Sequence, residues 1–244
     1  MEIIRSEVFS RYPEIIFGMS TRQGGISAGK LDLNMSFNVD DTRANVEENR
    51  RRFFNALQIP ESSVAFPVQC HSNKVLVARK TGRYEACDGL ITLQRNVFLA
   101  VSVADCVPIF LFDRNTKAIA GVHAGWRGTC SHIVNNAVRL MKKEFAVNAT
   151  DLVAFIGPSA GKCCYEVGGE VASQFEPKFV EEGKNHKFKL DLKSANYSQL
   201  LSEGVPAENI EVHSACTICS SERFHSYRRD GKESGRMLGI IGVR

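Results

Sequence analysis

Two apolar runs, FLAVSVA and VPIFLF, are separated by Asp105-Cys106 and followed by AIAGVHA and a glycine-rich turn. Val97 to Thr129 therefore reads as strand, kink, strand, turn, strand and the start of a helix. No other stretch restricts the fold as tightly. Asp105 and Pro108 are poor residues for a strand interior, and breaches of local consistency in a well-patterned segment tend to fall at functional sites. Cys106 sits in the kink. His123 closes the third strand, just before Gly125-Trp126-Arg127-Gly128.

The flanking sequence supplies further strands and helices. EIIRSEVFS and IIFGMST read as two short strands split by Arg11-Tyr12-Pro13, and TRQGGISAGKLDLN as a loop able to approach a ligand closely. Asp41-Thr42 opens a helix through about Gln58, with Val46, Phe53, Phe54 and Leu57 on one face. VAFPVQCHSNKVLVAR gives two strands around a tight connection holding His71, and Cys87-Asp88-Gly89 turns into LIT. A helix is expected from Thr129 to Phe145, another near Val171 to Phe175, and a third capped by Asp191 and closed by Gly204. LVAFIGP, NIEVHSA and MLGIIGV complete the strands. Some arrive as hairpins and some between helices, so the expected class is α+β: mixed sheets with outer helices, one domain over residues 1–244.

Several function classes are disfavoured. The net charge of +4 is mild and no basic block carries interleaved aromatics, so nucleic acid is not an expected partner. Val97 to Phe112 is interrupted by Ser102, Asp105 and Pro108, and falls short of the roughly 20 apolar residues of a membrane-spanning helix. The N-terminal residues show no basic region followed by an apolar run, so no export signal is read there. The eight cysteines are accordingly expected as reduced thiols in a cytoplasm.

His71, Cys106 and His123 all lie at strand ends or turns, from which side chains of separate strands can converge. Two imidazoles and a thiolate suit zinc, and three protein ligands leave a fourth tetrahedral position open, as in catalytic sites. A buried cysteine and two hydrogen-bonded histidines fit the spacing equally well. Asp88 or Asp105 could orient a ligating histidine, or simply cap a turn. Trp126 could stack on a planar ring or plug the core. Arg127 at the glycine-rich turn, and Arg228 with Arg229 in the FHSYRRDGKESGR loop, are candidate anion contacts, or solvated basic residues. Cys216-Thr217-Ile218-Cys219 is a lone CxxC. Adjacent Cys163 and Cys164 are not expected to ligate one ion together, which makes these four reduced structural thiols.

The ordered blocks STRQGG, DD with VEENRRR, QCHSNKV, DGLIT, ADCVPI, GVHAGWRGT, IGPSAGKCCYEVG and CTIC with RFHSYRRD span nearly the whole chain. Together they resemble the YfiH-like family, whose members carry the labels laccase-domain or polyphenol oxidase and are regarded as purine nucleoside phosphorylases with adenosine deaminase activity. The resemblance implies zinc held by His71, Cys106 and His123, sheets layered between helices, and often a homodimer. It implies purine nucleosides (adenosine, inosine, S-methyl-5'-thioadenosine) and phosphate as partners. For that chemistry Cys106, His123 and Arg127 are the catalytic candidates, and Trp126, Arg127, Arg228 and Arg229 the candidate substrate contacts. Copper is a possible second metal. The label of multicopper oxidase is tested by counting: six histidines cannot furnish both a blue-copper site and a histidine-rich trinuclear cluster. A cysteine hydrolase using Cys106 and His123 stays open as an alternative, as do a copper-dependent polyphenol oxidase and a non-catalytic metal-binding partner protein. His225 stands where the family usually carries an aromatic residue.

Overall fold

Successive residues of the strand Val107–Asp113 serve two different cores: Ile109 and Leu111 face one, Phe110 and Phe112 the other. A strand buried on both faces must be apolar throughout, which accounts for the unbroken VPIFLF. The same alternation runs through Phe98–Val103, where Leu99 and Val101 join Phe110 while Phe98 and Ala100 turn away. Full burial of one such side chain contributes about 1.5–3 kcal/mol.

The computed structural model describes residues 1–244. It contains two six-stranded mixed sheets. The first runs in the order Ile3–Ile4, Ile15–Ser20, Met237–Val243, Phe98–Val103, Val64–Pro67, Gly82–Tyr84. The second runs Ile210–Val212, Leu152–Ile156, Val107–Asp113, Ile119–Ala124, Gly89–Thr92, Val75–Val77. Their inner faces share a core that includes Phe17, Leu99, Val101, Phe110, Phe112, Phe155 and Ile241. The sheets approach closely where Gly239 faces Phe110: a Cβ there would lie 2.4 Å from the ring. Phe53, Phe54 and Leu57 of the helix Arg43–Leu57 cover the outer face of the first sheet. Helices Ile133–Phe145 and Leu192–Ser202 cover that of the second. The expected layering of mixed sheets between outer helices is what the chain adopts.

Two helix starts follow the expected chemistry. Thr42 accepts from Asn45 N at 3.2 Å, and Asp191 accepts from Ser194 N at 3.0 Å, each satisfying a free backbone donor. Other details differ. Only Ile3–Ile4 of EIIRSEVFS is strand; Ser6 caps a short helix, Glu7–Ser10, by accepting from Phe9 N. The helix expected from Thr129 is two, Trp126–Cys130 and Ile133–Phe145, because His132 takes a left-handed conformation with φ +58°. The helix expected near Val171–Phe175 is the single turn Gly169–Ala172. A small third sheet, Glu166–Val167, Phe188–Leu190 and Val180–Glu182, has strands of two or three residues, shorter than the roughly four to eight over which an alternating pattern reveals a strand.

Strands adjacent in sequence are split between sheets. Val64–Pro67 belongs to the first sheet and Val75–Val77 to the second; Phe98–Val103 and Val107–Asp113 divide the same way. The kink at Asp105 is thus a crossing between layers, made with φ +88° at a non-glycine residue. His71 lies in the other crossing and is also left-handed, with φ +60°. No helix is long and apolar enough to cross a membrane.

Candidate metal centre

The two crossings carry His71 and Cys106 to the end of the strand that holds His123. In the ladder between Val107–Asp113 and Ile119–Ala124, Val107 faces Ala124 and Pro108 faces His123, which sets Cys106 beside Gly125. The ligand atoms of His71, Cys106 and His123 lie within 4.8 Å of one another. Cys106 Sγ is 4.0 Å from His71 Nε2, and the two imidazoles meet edge to face with centroids 4.9 Å apart. Left-handed residues outside glycine cost stability and persist where surroundings over-determine them. Here the surroundings are two buried aspartates.

Asp88 is 1% exposed and accepts from the backbone N–H groups of Cys70, His71 and Ser72 at 3.1, 2.9 and 2.7 Å. It also accepts from Ser72 Oγ at 2.8 Å and from His123 Nδ1 at 2.8 Å. Burial alone would raise its pKa, but His123 and the Ser72 donors outweigh burial and hold the carboxyl well below its ordinary range. An ionised Asp88 fixes the proton on His123 Nδ1 and leaves Nε2 as the ligand atom. Asp105 works differently. Its carboxylate accepts from Thr217 Oγ1 at 2.6 Å, Ser226 Oγ at 3.0 Å and Arg228 N at 2.6 Å. Asp88 is the aspartate that orients a histidine; Asp105 ties the loop of residues 213–230 to the Cys106 crossing.

The donor set fits a metal ion. Burial disfavours the Cys106 thiolate, but the charge and hydrogen bond of His123 and the hydrogen bond of His71 draw its pKa down to about 6. His123 is opposed by burial, yet Cys106 and Asp88 push it up to about 9. A cation is therefore favoured among these groups. Gly125 is backbone-extended with φ −73°, so its identity is a matter of space. A Cβ there would come 3.1 Å from Cys106 Sγ, 3.2 Å from His71 Cδ2 and 3.9 Å from His123 Cε1. The missing side chain leaves a hollow against all three donors. Only these two of the six histidines reach the set, so a histidine-rich copper cluster has no donors here.

A cavity of about 230 Å³ is lined by Trp126, Tyr165, Val167, Lys187 and Arg228, among others. Burial, then the nearby charge of Cys106, push the Tyr165 phenol up to about 12; the cavity adjoins the donor set through Trp126, which directly follows Gly125. Arg228 lies over that ring at 5.0 Å and donates to Glu166 O at 2.6 Å. Sequence reasoning missed Tyr165; its place directly after Cys163-Cys164, in a turn that folds back on the site, was the available signal. Arg127 is exposed, its guanidinium 4.3 Å over the Trp126 ring. The helix it sits in has five residues, too short for much of a dipole. Arg229 is spent internally, donating to the carbonyls of Thr217, Ile218 and Phe224 and to Asp230. It staples its own loop.

All eight cysteines are free thiols. Contrary to the expectation for adjacent cysteines, the sulfurs of Cys163 and Cys164 converge with those of Cys216 and Cys219, all within 4.8 Å of one another.

The family model described as multi-copper polyphenol oxidoreductase laccase matches residues 16–244. The purine nucleoside phosphorylase of Bacteroides thetaiotaomicron is 37% identical over 259 aligned residues, covering 97% of this chain and 94% of that protein. Purine nucleoside phosphorylase YlmD of Bacillus subtilis is 34% identical, with 95% and 89% covered. The crystal structure of YlmD from Geobacillus stearothermophilus superposes with a TM-score of 0.94 at 33% identity, covering 100% of this chain and 97% of that one. The crystal structure of the Bacillus licheniformis hypothetical protein YfiH gives 0.94 at 30% identity, covering 99% and 96%.

Proposed function

Because the chain belongs to the YfiH-like, laccase-described family, whose relatives are named purine nucleoside phosphorylase, we propose that it is a zinc-dependent enzyme of that kind with adenosine deaminase activity. The substrates are adenosine, inosine and S-methyl-5'-thioadenosine, with phosphate. The observation that carries this reading is the open donor set His71, Cys106 and His123 beside the cavity of Trp126, Tyr165 and Arg228. An ion held there supplies Lewis acidity and lowers the pKa of a coordinated water toward neutrality.

The chain's own residues supply position and charge. Trp126 and Tyr165 offer flat faces to a purine. In phosphorolysis a phosphate oxygen bonds to ribose C1′ while the C1′–N9 bond breaks, its electron pair leaving with the purine, which takes up a proton. Arg127 enters no ion pair within the chain and is free to hold the anion from its place over the Trp126 ring, while Arg228 lines the cavity itself. In deamination water adds at C6 of adenosine and ammonia departs. Asp88 keeps His123 aligned, and Asp105 holds the loop bearing Arg228 against the site.

Incubating zinc-quantified protein with adenosine, with and without phosphate, tests the reading. Adenine and ribose-1-phosphate should form only with phosphate, and inosine in either case. Absence of all three products from metal-replete protein overturns it.

The Cys106, His123 and Asp88 series also resembles a cysteine nucleophile, base and orienting carboxylate. This second reading gives no role to His71, whose Nε2 faces the same sulfur. It predicts activity indifferent to chelators.

A further inference from the structure

We propose that Cys163, Cys164, Cys216 and Cys219 form a second metal site, a closed four-thiolate centre for zinc with a structural role. The four sulfurs come from two turns. Gly161-Lys162-Cys163-Cys164 is tied by Cys164 N and Tyr165 N to Gly161 O, both at 2.9 Å; Cys216-Thr217-Ile218-Cys219 closes through Ser220 N to Cys216 O at 3.0 Å. A parallel bridge, Ser159 with Cys216, joins the two turns, and Thr217 N donates to Ser159 O at 3.0 Å.

The spacing suits one ion. Zinc–sulfur bonds of about 2.3 Å in a tetrahedron set neighbouring sulfurs about 3.8 Å apart. Here Cys164 and Cys219 are 3.1 Å apart, Cys163 and Cys219 3.5 Å, and no pair exceeds 4.8 Å. Gly161 leaves the same kind of hollow as Gly125: a Cβ would sit 3.1 Å from Cys216 Cβ, 3.3 Å from Cys163 Sγ and 3.5 Å from Cys216 Sγ. Gly161 N donates to Cys216 Sγ at 3.2 Å, the kind of contact that favours a bound thiolate.

The surrounding charge agrees. On binding, four thiols release four protons and the centre carries two net negative charges. Lys193, 9% exposed, has no carboxylate partner; its ammonium donates to His213 O and Ala215 O, both at 2.8 Å, on the chain leading into Cys216. Burial pushes its pKa down, and the nearby Cys216, Asp191 and Cys163 act against that. A buried ammonium needs opposing charge, and a four-thiolate centre provides it.

Four protein ligands leave no open position, so this ion would hold structure rather than react. What it holds is definite. Thr217, between the two cysteines of one turn, donates to Asp105 beside Cys106, and Tyr165, directly after the other turn, lines the cavity. The centre would clip both turns over the first site.

Metal analysis of protein purified without chelator tests this. About two zinc ions per chain are expected in the wild type, about one in C216S/C219S, and about one in H71A/H123A. Cobalt-substituted H71A/H123A should show intense sulfur-to-cobalt charge-transfer absorption, and its loss when C163S/C164S is added to H71A/H123A would place the ion on these thiols. Should a cysteine variant fail to fold, alkylation of the native wild type decides: five thiols protected until zinc is stripped, with Cys163, Cys164, Cys216 and Cys219 among them. One zinc per chain that disappears in H71A/H123A overturns the proposal. So does a metal-free cluster that is two hydrogens lighter by mass, which would mark a disulfide instead.

Discussion

A single oxygen of Asp88, Oδ1, accepts from the ring of His123 at 2.8 Å and from the backbone N–H of His71 at 2.9 Å. One buried carboxylate thereby fixes the tautomer of one proposed ligand and the left-handed backbone of the other. Asp88→Asn keeps the shape but places a neutral amide against donors. Zinc affinity of the folded variant should fall about 10–100-fold, read by competition with a chelating dye. Affinity equal to the wild type would remove Asp88 from the assembly of the site.

Cys106 can be separated as ligand or nucleophile by its metal content. Cys106→Asp should retain more zinc than Cys106→Ala, since a carboxylate can ligate through oxygen but replaces a thiol nucleophile poorly. Zinc should also shield wild-type Cys106 from iodoacetamide. Full activity in chelator-treated, metal-free protein, lost on alkylating Cys106 alone, would promote the cysteine hydrolase.

Arg127→Ala should lower phosphorolysis about tenfold or more, the scale of a lost charge-assisted hydrogen bond, with a smaller effect on deamination. Only phosphorolysis holds an anionic co-substrate. Equal losses in the two activities, measured on one preparation, would assign Arg127 to the shared purine pocket.

Gly125→Ala puts a methyl group where the three donors meet, at a φ that alanine tolerates. The fold should survive and zinc affinity should fall about tenfold, since displacements of a few tenths of an ångström matter in a preorganised site. Unchanged affinity would show that the hollow has no part in metal binding.

His225 is fully buried and neither ring nitrogen makes a hydrogen bond of good geometry. Burial, with the charge of Arg22 behind it, pushes its pKa down to about 3. The unfolded chain, with a histidine pKa of about 6.5, binds the proton first as pH falls. Stability from the neutral imidazole is present above about pH 6.5 and is lost progressively toward pH 3. His225→Phe should remove that acid dependence and stabilise the protein at pH 7 by about 1–3 kcal/mol, the cost of an unsatisfied buried polar group. Urea unfolding at pH 7 and pH 5 measures both; an unchanged pH difference would contradict it.

The local signals were legible: the caps Thr42 and Asp191, the apolar strands, and a break at Asp105 costly enough to demand a reason. The three donors could be proposed because each sits where regular structure stops. Which sheet a strand joins was not legible, since pairing depends on partners far along the chain, as when Phe98–Val103 lies against Met237–Val243. The split duties of Asp88 and Asp105 follow from that hidden arrangement. So does the meeting of Cys164 with Cys219, 55 residues away.

His71 and Cys106 both ride on segments that step from one sheet to the other, while His123 belongs to the second sheet alone. An ion gripped by all three would act as a rivet through the seam of the sandwich. Loading it would restrain residues 68–74 and 104–106 together, and with them the ends of Val64–Pro67 and Phe98–Val103. Stripping it would do more than empty a pocket: it would unfasten one rim of the layered body, so that chemistry and mechanical cohesion share a single set of side chains.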